Sequence, residues 1–139
     1  MQPGAKRFES WEKSYAAVLG MGAAADYALD LGLDVIQRRI GWVADRIRGA
    51  LADVPGVVVR DRGTIRTGIV TFSVEGRDAL DVVRRIKERG VNVSHSPREY
   101  AVRDFDATGV TGLVRVSPHV FIDDSDVEAL LQAVRAAVS

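Results

Sequence analysis

The chain contains no cysteine among its 139 residues. That removes disulfides, thiolate metal sites and cysteine nucleophiles from what these residues can do. Histidine is almost as scarce: only two are present, His95 and His119, so a three-histidine metal site cannot form. An excess of charge of one sign is also missing, since 19 Lys and Arg offset 19 Asp and Glu. The global attraction that draws basic proteins to nucleic acid or to anionic membranes is therefore lacking. No apolar run approaches the ~20 residues that cross a bilayer. Residues 1–6 lack the apolar stretch of a secretory leader. Together these absences point to a cytoplasmic protein with neither nucleic acid nor membrane as partner. What remains is an ordinary globular composition, 47% hydrophobic and 27% charged. The length suits one domain with its own core.

Residues 1–10 carry Pro3 and Gly4 without periodicity and read as a lead-in to a domain over 11–139. From Trp11, the positions Tyr15, Val18, Leu19, Gly22, Ala23 and Tyr27 recur at helical spacing up to Gly32. A second helix follows, with Ile36, Ile40, Val43, Ile47, Leu51 and Val54 as one apolar stripe. Its opposite face, with Arg38, Asp45, Arg46 and Arg48, reads as solvated. Pro55-Gly56 ends it. Strands are expected at 57–59, 68–74, 91–93 and 113–116, and a third helix buries Ala79, Val82, Val83 and Ile86 ahead of Gly90. Residues 96–111 read as a long polar loop. A final helix starts with Ser125 as N-cap. The fold class expected is α+β: a small mixed or antiparallel sheet of three to four strands, with helices packed mainly on one face.

Few residues carry chemistry by spacing alone. Gly20-Met21-Gly22-Ala23-Ala24-Ala25 fits a dinucleotide fingerprint, but the second strand which that motif needs is replaced by the helical stripe of 33–54. His95 and His119 are each suited to proton transfer near neutral pH, yet neither has an evident partner acid or nucleophile in the sequence. Arg115 is more informative, because it interrupts the apolar run Leu113-Val114-Arg115-Val116. Facing water it would be a solvated arginine; facing a cleft, its planar fork would suit a carboxylate.

Three segments, in order, resemble one family. Arg7-Phe8-Glu9-Ser10-Trp11-Glu12-Lys13-Ser14-Tyr15 with Leu19-Gly20-Met21-Gly22-Ala23-Ala24 is similar to the entry into the C-terminal domain of class V aminotransferase-fold, pyridoxal-phosphate-dependent enzymes. That group includes cysteine desulfurases and isopenicillin-N epimerase-like proteins. Gly90-Val91-Asn92-Val93-Ser94 resembles the strand leading to its active-site loop, and Val114-Arg115-Val116-Ser117-Pro118-His119 through Leu130 resembles its closing strand and helix. The resemblance implies the small domain of a fold-type-I enzyme, normally a homodimer. It implies substrate-binding roles for Arg115, at the amino acid's α-carboxylate, and for His95 and Arg98 at the border of the site. The lysine that carries pyridoxal 5'-phosphate and the aspartate that pairs with its ring nitrogen belong to the family's other, larger domain. Lys6, Lys13 and Lys87 do not match the context of that lysine. The expectation is thus a fragment, inactive alone, with no catalytic, cofactor-binding or metal-ligating residue and no covalently held cofactor. Completed by a large-domain partner chain, it would act on an amino acid by transamination, epimerisation or lyase chemistry. The loop that carries the catalytic cysteine of desulfurases has none here, which excludes their persulfide route. The rival expectation is a stand-alone interaction or regulatory module that self-associates through an apolar surface at Phe8, Trp11 and Tyr15.

Overall fold

A computed structural model describes residues 4–8 and 12–139 of the chain; Trp11 lies outside them. The chain divides into two compact units, residues 1–36 and 37–139. The first holds a 3-10 turn, Ala5–Phe8, and helix α1, Tyr15–Leu31. The Ser14 hydroxyl caps α1 by accepting from the Ala17 N–H, which satisfies one of the orphan donors of a first turn. Gly32, at φ +86°, closes it with its N–H on the carbonyls of Ala28 and Leu29. Gly20 and Gly22 sit in the middle of this helix, so the strand–turn–helix geometry of a dinucleotide site is absent there. The helix YAAVLGMGAAADYALDL is apolar nearly all the way round, yet none of its residues is buried.

The second unit is a sheet with three helices on one face and a short one over the other. Helix α2 (Leu33–Ala52), which belongs to this unit from residue 37 on, is followed by strands β1 (Val57–Val59) and β2 (Val70–Val74) and helix α3 (Ala79–Lys87). Strand β3 (Ser94–Pro97), helix α4 (Val102–Thr108), strand β4 (Gly112–Val116) and helix α5 (Asp124–Val138) complete it. The strand order is β1-β2-β4-β3 and every pairing is antiparallel. Residues opposite one another in such a ladder share a face. Phe72 opposite Val114 and Val70 opposite Val116 therefore point the same way. They meet Val43, Ile47 and Leu51 of α2, Val82 and Ile86 of α3, and Leu130 and Val134 of α5 in one core. The expected α+β layer is the observed one.

Four local expectations are corrected. Residues 91–93 are not a strand: Val93 is buried in the core, and the ladder with β4 begins at Ser94, where backbone groups face β4. Residues 96–111 are not a plain loop but hold a 3-10 turn, Arg98–Tyr100, and α4. Helix α4 buries only Phe105, too little for an apolar stripe to show in the sequence, and ends at Gly109 in the left-handed region at φ +66°. The N-cap of α5 is Asp123, not Ser125. Its carboxylate accepts from the N–H groups of Ser125 and Asp126, while the Asp126 carboxylate takes the Asp123 N–H. An anion at this end also meets the positive pole of the helix. Finally, Arg48 is not solvated but 5% exposed.

Two substitutions test this packing. Phe72 is fully buried at the centre of the sheet, so Phe72→Ala should cost about 3–5 kcal/mol. A β-carbon at Gly68 would overlap the Ile40 side chain of α2, so Gly68→Ala should cost about 1–3 kcal/mol through overpacking. Urea denaturation measures both, and wild-type midpoints would contradict the close packing of sheet and α2.

Candidate functional site

The alternation that sends Phe72 and Val114 into the core sends Thr71 and Arg115 to the other face. Arg115 lies opposite Thr71 on one side and Ser94 on the other. The backbone N–H of Arg60, just beyond β1, reaches the Thr71 carbonyl at 2.7 Å and extends this polar row. Over it opens a cavity of about 340 Å3, whose walls include Arg60, Asp61, Thr71, Ser96, Tyr100 and Arg115. Phe105 and Leu113, both buried but outside the main core, form its apolar wall.

Arg115 is half-buried on this wall. Its Nε is buried and has no hydrogen-bond partner among the described residues. Most buried polar groups are paired, so an orphaned guanidinium N–H on an arginine that lines a cavity makes Arg115 the candidate for an acceptor outside the described residues. The other charges on the wall are already engaged. Arg62 pairs with Asp104. Arg60 gives its Nε–H to the Ser73 hydroxyl at 2.8 Å. The Asp61 carboxylate accepts from Arg48 Nε at 2.7 Å and from the Thr71 N–H at 3.3 Å. Arg48 also donates to Asp45 and to the carbonyls of Thr67 and Ile69. This ties α2 to the segment over 61–69.

The residues singled out in the sequence are not gathered into one place. His95 pairs with Val114 in the ladder and so lies on the helix-covered face, away from Arg115. Its ring lies beside Gly112: a β-carbon there would come 2.7 Å from the His95 Nε2. Arg98 stands on the 3-10 turn and grips Asp106 of α4 with two bonds of 2.5 and 2.7 Å. It does not line the cavity. His119 is exposed and stacks on Phe121, with ring centroids 5.1 Å apart. Arg60, Asp61 and Arg48 escaped the sequence reading. Thr71 was legible in part, as a polar position in the alternation of 68–74.

None of the described lysines lines the cavity; Lys13 precedes α1 and Lys87 ends α3. The residues around Arg115 thus fit a carboxylate but supply no amine for an imine with an aldehyde cofactor. No cluster of three or more His, Asp or Glu suited to a metal ion occurs among the described residues.

The hydrogen bonds from Arg98 hold the Asp106 carboxyl below its ordinary range, and the nearby positive charge adds to this. A carboxyl depressed in the folded state stabilises above its unfolded pKa and stops doing so as pH falls through the folded one. Acidification below the ordinary aspartate range should therefore loosen the segment over 98–108. Measured relative to the intrinsic exchange rate at each pH, protection of the α4 amides should fall there, and Asp106→Asn should show the lowered protection at every pH. Both partners are exposed, so salt should weaken the effect. Unchanged α4 protection across the titration would contradict a bracing role for the Arg98–Asp106 pair.

Residues 2–130 match the aminotransferase class-V family. A cysteine desulfurase from Dickeya dadantii is 28% identical over 126 residues, which cover 90% of this chain and 30% of that protein. A probable cysteine desulfurase from Pseudomonas putida is 26% identical over 132 residues, 95% of this chain and 32% of that one. Among solved structures, a cysteine desulfurase from Escherichia coli superposes with a TM-score of 0.84 at 26% identity, over 98% of this chain and 33% of that one. The chain therefore spans about a third of the length of the relatives it matches. With the family matched over nearly the whole of its length and the small α+β layer shared with those structures, the chain belongs to the aminotransferase class-V family.

Proposed function

We propose that this chain is the substrate-carboxylate-binding lobe of a pyridoxal-phosphate-dependent class V enzyme acting on an amino acid. The observation that carries the reading is Arg115: half-buried, on the wall of a cavity, its Nε without an acceptor among the described residues. Its fork would receive the α-carboxylate through two parallel hydrogen bonds. Thr71, its cross-strand neighbour, and Ser96, which lines the same cavity, would contribute hydroxyls. The apolar wall of Phe105 and Leu113 would keep water from competing for those bonds. The cofactor, when present, supplies the electron sink for chemistry at the amino acid's α-carbon. The lysine that carries it is expected from the part of the relatives which these residues do not match. What this chain does is orient the substrate. Transamination, epimerisation and elimination all share that need. Persulfide transfer from a cysteine is not assigned to these residues, which contain none. His95 and Arg98 take secondary places: one lies behind the sheet, and the other braces α4 at the cavity's edge.

A second reading, a module that binds another protein, draws on α1. A helix apolar all round belongs inside a larger body, and Val18, Leu19, Met21 and Leu29 are all exposed. The rest of a class V enzyme, or a second copy, would cover them. No single helix among the described residues is long and apolar enough to cross a membrane.

Binding of L-alanine and L-alaninamide, followed by NMR of the chain, tests the first reading. Arg115→Gln should weaken L-alanine by about 10-fold or more, the range of a hydrogen bond to a charged group, and leave the amide unaffected. Arg115→Lys should fall between, since an ammonium offers no fork. Equal L-alanine affinities for wild type and Arg115→Gln would end it. For the second reading, sedimentation should show association that Leu19→Glu together with Leu29→Glu abolishes; a wild-type monomer would count against it.

A further inference from the structure

We propose that Arg48 is a positioning residue for the Arg115 site: it occupies the Asp61 carboxylate and so keeps that carboxylate from closing on Arg115. Asp61 and Arg115 line the same cavity. Asp61 is held one strand away, with its Oδ1 on the N–H of Thr71, the cross-strand neighbour of Arg115. The simplest way to satisfy the orphaned Arg115 Nε would be a salt bridge to Asp61, and that bridge is not made. Arg48 takes its place. Its side chain is 6% exposed and that of Asp61 15%, so their bond at 2.7 Å is little screened by water. Arg48 spends three further N–H groups on Asp45 Oδ1 at 2.9 Å, the Thr67 carbonyl at 2.7 Å and the Ile69 carbonyl at 3.1 Å. Four contacts in one planar fork fix where its Nε points, and hence where Asp61 sits. The other carboxylate on the cavity wall, Asp104, is taken by Arg62 in the same manner. Both acids on the wall have a cation that is not Arg115, which leaves Arg115 without an acid partner among the described residues.

The ligand side of this inference rests on the carboxylate-binding reading, but the exchange of partners at Asp61 does not, and the two can be separated. Two-dimensional NMR of the arginine Nε–H groups reads the exchange without any ligand. In Arg48→Met, the Arg115 Nε–H should shift and exchange more slowly with water, because Asp61 has turned to it. In Arg48→Met with Asp61→Asn it should return to the wild-type position, since a neutral amide oxygen competes poorly. A general loosening of the segment over 61–69 would not be reversed by removing one charge. Should Arg48→Met not fold, Arg48→Lys serves instead: one ammonium cannot hold Asp61, Asp45 and two carbonyls at once, and the Arg115 signal should move the same way. An Arg115 Nε–H unmoved in a folded Arg48 variant overturns the proposal. Acetate is the probe for the ligand side. It should shift the Arg115 signal in the wild type, bind at least about five-fold more weakly to Arg48→Met, in line with the coupling expected of close charges, and regain wild-type affinity in the double variant. An Arg115 signal that moves with Arg48→Met but not with acetate would uphold the partner exchange and overturn the carboxylate reading.

Discussion

A sheet covered by helices on one side must leave its other side to something else, and that constraint organises this molecule. Strand alternation is strict, so the residues that build the core through Phe72 and Val114 oblige Thr71 and Arg115 to face away from it. The buried face is apolar and closely packed. The opposite face carries a row of side chains able to donate hydrogen bonds, partly roofed by α4. The same register thus produces both the stability of the lobe and the exposure of its site.

Charge is arranged on that second face with some economy. Arg48 engages Asp61, Arg62 engages Asp104, and Arg98 engages Asp106. Two of these pairs brace α4 and its approach, and the third ties α2 to the segment leading into β2. The two pairs at α4 are exposed and stabilise little, whereas Arg48–Asp61 is largely buried. Their effect is on geometry: they keep α4 over the sheet and leave Arg115 without an internal acid. The neutral balance of the whole chain conceals this local pattern, because a sum of charges says nothing about which cation meets which anion.

The family match and the shape of α1 bear on one another. Relatives that extend to about three times the matched length have other surfaces with which to cover an apolar helix. In the described residues α1 buries nothing, and the cavity is lined by Arg115 but by none of the described lysines. Both features suit the proposed substrate-binding lobe.

Much of the fold was legible because periodicity reports burial directly. The stripe from Val43 to Leu51, the alternation of Val70, Phe72 and Val74, and the run at 127–134 each became the buried face of the element expected. Helix α4 was not legible, since one buried phenylalanine makes no stripe. The start of β3 was misplaced, since Val93 is apolar for the core and not for the ladder. Within the site, Arg115 stood out as a cation inside an apolar strand, whereas Arg60 and Asp61 looked like ordinary loop residues. By itself the sequence determined that Arg115 turns its back on Val114 and Val116, because a strand has a period of two. Only the tertiary structure decided that this side is a cleft, that His95 belongs to the other side, and that Arg48 is buried. Those outcomes depend on which strand pairs with which and on a segment some 13 to 21 positions away folding over α2, and contacts between distant positions leave no local period to read.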